Sequence, residues 1–167
     1  MNFLIKLNEL KNNFYKRENI FFLTIILLVF IFDRITKLKI LNNFSESSYY
    51  INDYINLELI WNTGIGFGLL SSSSILIYHS ISIIIGIIIL AMLIVLIRSE
   101  QLIEKTIFSI IIGGACGNIY DRLIYNAVPD FIDVHYQNFH WFVFNIADIF
   151  ISLGIILFLI KGLLVRE

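Results

Sequence analysis

The chain has 167 residues, of which 58% are hydrophobic and 15% charged. A soluble globular domain averages about 45–50% apolar residues, so this excess indicates a membrane protein. The formal net charge of −1 argues against nucleic acid as a partner, and the single cysteine, Cys116, excludes an intramolecular disulfide.

Four segments are long and apolar enough to cross a bilayer, which takes about 20 residues of helix. They are Ile20–Ile40, Ile75–Ile97, approximately Leu102–Tyr120, and Trp141–Ile160. The third is the weakest because its second half reads GGACGNIY, but it is needed for an even number of crossings. We therefore predict an all-α membrane protein with four transmembrane helices, forming a single domain over residues 1–167.

Lysine and arginine concentrate on one side of this arrangement. They occur in the N-terminal segment 1–19, in the loop between the second and third helices, and in the C-terminal tail. Positive charge marks the cytoplasmic side, so we expect both termini in the cytoplasm. The first apolar run ends in Asp33–Lys37 (DRITK) and not in small residues, which favours an uncleaved anchor over a signal peptide. Arg34, Lys37 and Arg122 lie near outer helix ends, where long side chains can snorkel.

Region 42–74, on the outer side, has the pattern of strands. The stretch SYYINDYINLELIW alternates partly and is rich in Tyr and Ile, which predicts one or two short strands. It continues into Asn62–Gly68 (NTGIGFG), where three glycines imply a tight turn or a close backbone approach. A plain hairpin turn is the alternative. We interpret region 42–74 as a small extracytoplasmic β-platform, with aromatic side chains suited to the membrane interface.

Asp148 falls within the fourth predicted span, where lipid cannot hydrate a carboxylate, so it is a candidate functional residue. It is seven residues inside the outer end, about 10 Å deep at 1.5 Å per residue. Asp130, in the predicted loop after the third span, could fold over it. Two close carboxylates share a proton and can activate water against a peptide carbonyl, as in aspartic peptidases. The alternative is a solvated Asp130 and a lone structural or ion-pathway Asp148.

Other polar residues fall at the same depth. Asn145 and Asp148, spaced i and i+3, are expected on one helix face. Two similar groups lie at the outer ends of the first and third helices: Asp33, Thr36 and Lys37, and Asn118, Asp121 and Arg122. Each alone could be an ion pair at a helix end, but together they indicate a polar cavity that opens outward.

Other chemistries have little support. Gly113–Gly117 contains a GxxxG spacing, which favours close helix packing. The sequence has no HExxH or GxSxG, and His79, His135 and His140 show no spacing typical of metal ligands, so we predict no metal. Cys116 is expected to be a packed thiol.

Five motifs occur in an order that resembles a known family. They are Asp33–Lys37, Asn62–Gly68, Gly113–Arg122 (GGACGNIYDR), Val128–Phe131 (VPDF) and Phe144–Asp148 (FNIAD). With this order and spacing, the chain resembles the bacterial lipoprotein signal peptidases, also called signal peptidase II. The resemblance covers nearly all of the chain beyond residue 20.

The resemblance implies a four-helix inner-membrane aspartic endopeptidase with a β-cradle on the outer leaflet. Its substrates would be diacylglyceryl-modified prolipoproteins, cut just before the lipid-modified Cys, and globomycin-like compounds would inhibit it. It implies no cofactor and membrane lipid as a partner. It also implies that Asp130 and Asp148, and not Asp121, are the catalytic pair. The residues implied to line or brace the site are Asp33, Lys37, Asn62, Gly64, Gly114, Asn118, Arg122, Asn145 and Ala147.

The sequence departs from the family pattern at two positions. Arg34 stands where the family often has Gln, and Pro129 stands where Val is common. Pro129 removes a backbone N–H beside Asp130 and biases Val128 toward an extended conformation.

Two other functions are compatible with intramembrane polar residues. The chain could be a small proton- or ion-coupled transporter or channel subunit that uses Asp148 and Lys37, or a structural membrane protein with buried polar contacts. A transport path needs polar residues through the full depth of the membrane. The second helix and the inner halves of the first and fourth are nearly all apolar, which favours chemistry at one surface.

Overall fold

The computed structural model describes residue 14 and residues 16–44, 48–64 and 75–164. Within these ranges the helices are α1 (Arg17–Asn43), α2 (Ile75–Arg98), α3 (Leu102–Tyr125) and α4 (Ile146–Leu164). The strands are β1 (Tyr49–Asn52), β2 (Ile55–Asn62), β3 (Val128–Tyr136) and β4 (Phe139–Phe144). Most of the N-terminal segment, and residues 45–47 and 65–74 of the predicted β-platform, lie outside the described residues.

Four helices of the described chain are long and apolar enough to span a membrane. Large aliphatic side chains remain exposed along α2, among them Ile83, Ile84, Ile87 and Ile88. A soluble protein would bury such a surface, whereas lipid covers it without cost. The chain is therefore a multi-pass membrane protein, and the prediction of four spans is confirmed.

Helix α3 is the central helix, since it packs against α1, α2 and α4. Half of its most apolar window (50%) is buried inside the protein, against 17–22% for the other three helices. A helix that contacts protein more than lipid needs less hydrophobicity. This explains why the third span gave the weakest signal in the sequence.

Glycines allow the neighbours of α3 to approach closely. A Cβ atom on Gly113 would lie 2.7 Å from the Cβ of Val29 on α1, and one on Gly114 would lie 2.7 Å from the carbonyl oxygen of Ala147 on α4. Neither backbone could come so near a larger residue. The close packing predicted from the GxxxG spacing is what the structure has.

The four strands form one antiparallel sheet in the order β1-β2-β3-β4. The first two strands follow α1, as predicted for region 42–74. The other two lie between α3 and α4, and the sequence did not predict them. The placement of Asp130 in a loop is wrong, because it lies in β3. The segment Trp141–Phe144, assigned to the fourth span, is part of β4.

These corrections also change the depth of Asp148. Helix α4 begins at Ile146, so Asp148 lies in its first turn and not seven residues inside it. The apolar and aromatic run FHWFVF continues directly into the apolar helix, and its hydrophobicity alone could not mark the boundary.

Candidate active site

Asn145 caps the N-terminus of α4 and holds Asp148 in place. The side-chain Oδ1 of Asn145 accepts a hydrogen bond of 3.1 Å from the backbone N–H of Asp148. In return, Oδ2 of Asp148 accepts one of 3.1 Å from the backbone N–H of Asn145. This reciprocal pattern is a capping box, which satisfies two backbone donors that a helix start would otherwise leave free. It fixes one oxygen of the Asp148 carboxylate.

The same residue binds the second carboxylate. The side-chain Nδ2 of Asn145 donates a hydrogen bond of 2.6 Å to Oδ1 of Asp130, and Nδ2 of Asn62 donates one of 2.8 Å to Oδ2. Strand β3 pairs with β2 so that Asp130 lies opposite Ile60, which brings Asn62 within reach. Asn145 thus contacts both Asp130 and Asp148, and the two carboxylates face one site.

Asp130 is 2% exposed. Burial, and secondly the negative charge of Asp148, raise the pKa of Asp130 from its ordinary 3.8 to about 7, while the hydrogen bonds from Asn62 and Asn145 act in the opposite direction. At neutral pH this carboxyl is therefore close to half protonated.

Lys37 joins α1 to α3 and, through Asn118, to α4. Its Nζ lies 2.8 Å from Oδ2 of Asp33 and 2.7 Å from Oδ2 of Asp121, and it donates a hydrogen bond of 2.9 Å to Oδ1 of Asn118. The amide of Asn118 then donates to Oδ1 of Asp148 at 2.8 Å. The ammonium group and Asn118 together position the second oxygen of Asp148.

Asp33 supports the start of α4 from the other side. Its Oδ1 accepts a hydrogen bond of 3.0 Å from the backbone N–H of Ala147. A carboxylate at this position satisfies a free donor of the helix and interacts favourably with the helix dipole.

Arg122 connects the site to the segment after β2. It donates to the carbonyl oxygen of Gly64, whose backbone N–H donates to Oδ1 of Asn62 at 2.8 Å. The guanidinium also lies 5.4 Å from the ring centroid of Tyr78 on α2. Arg122 therefore holds the backbone that presents Asn62 to Asp130.

The charged residues of this region are all buried, none more than 9% exposed. Arg34 pairs with Asp121, and Lys37 with both Asp33 and Asp121. The expectation that the cationic groups snorkel toward water is therefore wrong: they turn inward. Buried charge must be balanced. The three cations are Arg34, Lys37 and Arg122, and the four carboxyls are Asp33, Asp121, Asp130 and Asp148, so one proton makes the set neutral.

Every site residue named from the sequence belongs to this network or packs against it. Gly114 takes part through its contact with the carbonyl of Ala147. Three further residues contribute that the sequence did not assign to the site: Arg34, Asp121 and Tyr78. The sequence placed Asp121 in a polar group at the outer end of the third helix, which pointed toward its role. Nothing in the sequence linked Tyr78 to Arg122.

An apolar groove between α2, α3 and α4 leads to the carboxylate of Asp148. Its volume is about 490 Å³. Its polar end is formed by Asn118, Arg122 and Asp148, and its walls are mainly aliphatic and aromatic. The groove can bring an apolar chain from the bilayer to the carboxylate of Asp148.

Known proteins are similar to this chain in both sequence and fold. The family model described as signal peptidase (SPase) II matches residues 25–164. A lipoprotein signal peptidase of Pelagibacter ubique (strain HTCC1062) is 54% identical over 136 residues, which are 80% of this chain and 81% of that protein. One from Anaplasma phagocytophilum (strain HZ) is 34% identical over 153 residues, covering 90% and 97%. A solved bacterial membrane enzyme superposes with a TM-score of 0.69 at 31% identity, covering 85% of this chain and 87% of that one.

Proposed function

Because the chain belongs to the signal peptidase II family, we propose that it is an aspartic endopeptidase that removes signal peptides from lipoproteins. Its substrates are diacylglyceryl-modified prolipoproteins, and the cut falls just before the lipid-modified Cys. The observation that carries the aspartic assignment is the shared contact of Asn145 with Asp130 and Asp148.

Asp130 and Asp148 are the catalytic pair in this proposal. With one proton between them, the ionised carboxylate takes a proton from water as the water attacks the peptide carbonyl. The protonated partner donates to the carbonyl oxygen, and a carboxyl then protonates the leaving amine. Each oxygen of the pair accepts one hydrogen bond from Asn62, Asn118 or Asn145 and keeps capacity for water or substrate. No cofactor takes part.

The supporting residues position this pair and do not react. Asn145 holds both carboxylates, and Asn62 and Asn118 hold one each. Lys37 and Asp33 fix Asn118 and the first turn of α4. Gly114 and Ala147 allow the close approach of α3 to α4, and Arg122 with Gly64 anchors the segment after β2.

The apolar groove supports a lipid-anchored peptide as the substrate. Asp148 lies in the first turn of a spanning helix, so the pair is close to the end of the bundle that carries the sheet. A lipid-anchored peptide can place its scissile bond there while its apolar segments remain in the groove and the bilayer. Membrane lipid and globomycin-like inhibitors would contact the same groove.

The inner membrane is the proposed location, with both termini in the cytoplasm and the sheet and carboxyl pair at the outer leaflet. The positive charges of the sequence support this orientation. The transporter alternative has no support from the family or the relatives. The buried core of Phe22, Leu96, Ile97 and Ile112 is apolar, which argues against a polar path through the bundle.

The proposal is tested with purified protein reconstituted in nanodiscs and a diacylglyceryl-modified prolipoprotein, with cleavage followed by mass. Asp130→Asn and Asp148→Asn, made separately, should each lower kcat by about 100-fold or more, because each removes a proton-transfer group. Asp53→Asn is the matched control, since Asp53 is an exposed carboxylate whose hydrogen-bond partner is Tyr50.

Thermal unfolding of each variant shows whether it is folded. If a folded Asp130→Asn or Asp148→Asn variant cleaves at the wild-type rate, the catalytic pair is wrongly assigned. If the wild-type protein leaves the prolipoprotein intact, the proposed function itself is wrong.

A further inference from the structure

Strands β3 and β4 bring together three side chains that are common metal ligands: Asp133, His135 and His140. One donor atom from each lies within 4.8 Å of the other two. Nδ1 of His140 is 2.8 Å from Oδ2 of Asp133, and Nδ1 of His135 is 3.5 Å from the same oxygen. The sequence showed no such grouping, because the two histidines meet only across the hairpin.

The register of the hairpin explains the grouping. Asp133 and His135 are two residues apart in β3, so their side chains leave the strand on the same face. His140 of β4 lies directly opposite His135, and the two rings stack with centroids 5.2 Å apart. The turn between the strands is tight, and Gln137 within it has a φ of 53°. Pairing of the two strands, whose register shifts between Asp133 and His135, thus brings the three side chains together without an ion.

The environment is suited to a ligand. Asp133 is 1% exposed. The His135 side chain is 10% exposed, and its Nδ1 makes no hydrogen bond to any described residue. A buried imidazole nitrogen without a hydrogen bond is costly unless something binds it. The His140 side chain is 56% exposed, so an ion could enter from water on that side.

We propose that Asp133, His135 and His140 form a binding site for a divalent transition metal such as Zn²⁺. Neutral imidazole and carboxylate are preferred zinc ligands, and donors around tetrahedral zinc lie about 3.3 Å apart for bonds of 2.0–2.1 Å. The observed separations of 2.8 and 3.5 Å bracket that spacing. Three protein ligands leave the fourth position to water, beside the exposed edge of His140.

The site has a structural consequence for the carboxyl pair. The hairpin that it would clamp carries Asp130 in β3, and β4 leads directly into Asn145. A metal bridging β3 and β4 would therefore stiffen the connection between the two residues whose contact forms the site. This role does not depend on the reaction that the carboxyls catalyse.

The experiment uses the full-length protein in detergent, carrying a streptavidin-binding tag, because a polyhistidine tag would itself bind metal. Protein is equilibrated with micromolar Zn²⁺ and desalted, and its zinc content is measured by mass spectrometry. The variants are Asp133→Asn and His140→Ala. His79→Ala is the matched control, since His79 is an exposed histidine on α2, away from the hairpin.

We expect about one Zn²⁺ per chain in the wild type and in His79→Ala. Zinc affinity should fall by about 100-fold or more in His140→Ala, because loss of an outer partner alone costs 10- to 100-fold. Because His140 is largely exposed, this variant should fold, and Zn²⁺ should raise the thermal midpoint of the wild type but not of His140→Ala. A wild type that retains no zinc, or equal retention by all the variants, would overturn the proposal.

Discussion

At the scale of single residues, the site depends on Asn145. Its backbone N–H holds Asp148, its Oδ1 caps the N–H of Asp148, and its amide holds Asp130. One residue between a strand and a helix thus sets the relative position of two carboxyls that are distant in sequence. Hydrogen bonds to carboxylates are stronger than neutral ones, so this position is well determined.

Pro129 departs from the family pattern, and the strand in which it lies accommodates it. The residue lies in β3 opposite Trp61, and it is buried next to Asp130. A proline lacks the N–H that a strand interior requires, yet it suits an extended backbone such as this one. The bias toward extension that Pro129 places on Val128 therefore agrees with the strand that the structure has.

The raised pKa of Asp130 gives a prediction for stability. The carboxyl has a pKa of about 7 when folded and an ordinary value of 3.8. Between these values the folded protein holds a proton that the unfolded chain has released. The free energy of unfolding must therefore fall as pH rises from about 4 to about 7, and the loss is complete above pH 7.

We expect the thermal midpoint of the wild type to fall between pH 5 and pH 8 by about 5–10 °C more than that of Asp130→Asn, which has no titrating carboxyl at this position. Differential scanning fluorimetry in one detergent at both pH values measures this. Equal pH dependence of the two proteins would show that Asp130 does not carry the raised pKa.

At the scale of elements, the contact between α3 and α4 determines where the first turn of α4 sits. Gly114 faces the carbonyl of Ala147, and Gly117 lies directly against the carboxylate of Asp33. Both contacts involve groups that position the site residues, so the packing of the helices also sets the geometry of the site.

Gly114→Ala is expected to destabilise the protein by about 1–3 kcal/mol, as overpacking does. The added methyl would sit 2.7 Å from the carbonyl oxygen of Ala147, and α4 would have to move. Because Asp148 follows Ala147 directly, cleavage activity should fall as well. The measurements are the thermal midpoint and the rate of prolipoprotein cleavage.

Gly86→Ala provides the matched control for this substitution. Gly86 is also inside a spanning helix, but no described atom lies within 4 Å of the position of its added Cβ. Because alanine has the higher helix propensity, this variant should keep the wild-type activity and a midpoint at least as high as that of the wild type. If Gly114→Ala is as stable and as active as Gly86→Ala, close packing does not constrain Gly114.

At the scale of the whole molecule, the charged groups buried among the described helices lie in two sets. The carboxyl network lies at one end of the bundle, while Lys105 hydrogen-bonds Asn19 at 2.8 Å near the other, where Asn19 donates to the carbonyl of Ile97. The apolar core of Phe22, Leu96, Ile97 and Ile112 packs in this region of the bundle, away from the carboxyls.

The proposed orientation gives a prediction that labelling can test. Asn138→Cys in the β3–β4 turn should react with a membrane-impermeant maleimide on intact cells. Glu100→Cys, in the loop between α2 and α3, should react only after the membrane is opened. Both positions are exposed. Both variants are made in a Cys116→Ala background, which removes the native thiol and serves as the unlabelled control. Labelling of Glu100→Cys on intact cells would contradict the proposed orientation.

The sequence by itself determined the membrane class, the four spans and the identity of the family. The length of an apolar segment can be read directly from the sequence. Five motifs in a fixed order identify the family without coordinates. All the named site residues, from Asp33 to Asp148, could be selected in this way. The boundary between β4 and α4 could not, because both are apolar and neither period nor length separates them.

The tertiary structure alone decided which polar groups meet. Strand β3 carries Asp130 to Asn62 and Asn145, the cations of α1 and α3 turn inward to the carboxylates, and Tyr78 comes to lie against Arg122. The hairpin likewise gathers Asp133, His135 and His140. These contacts depend on strand register and helix packing, and most of them join residues far apart in the chain, so no local pattern of residues encodes them.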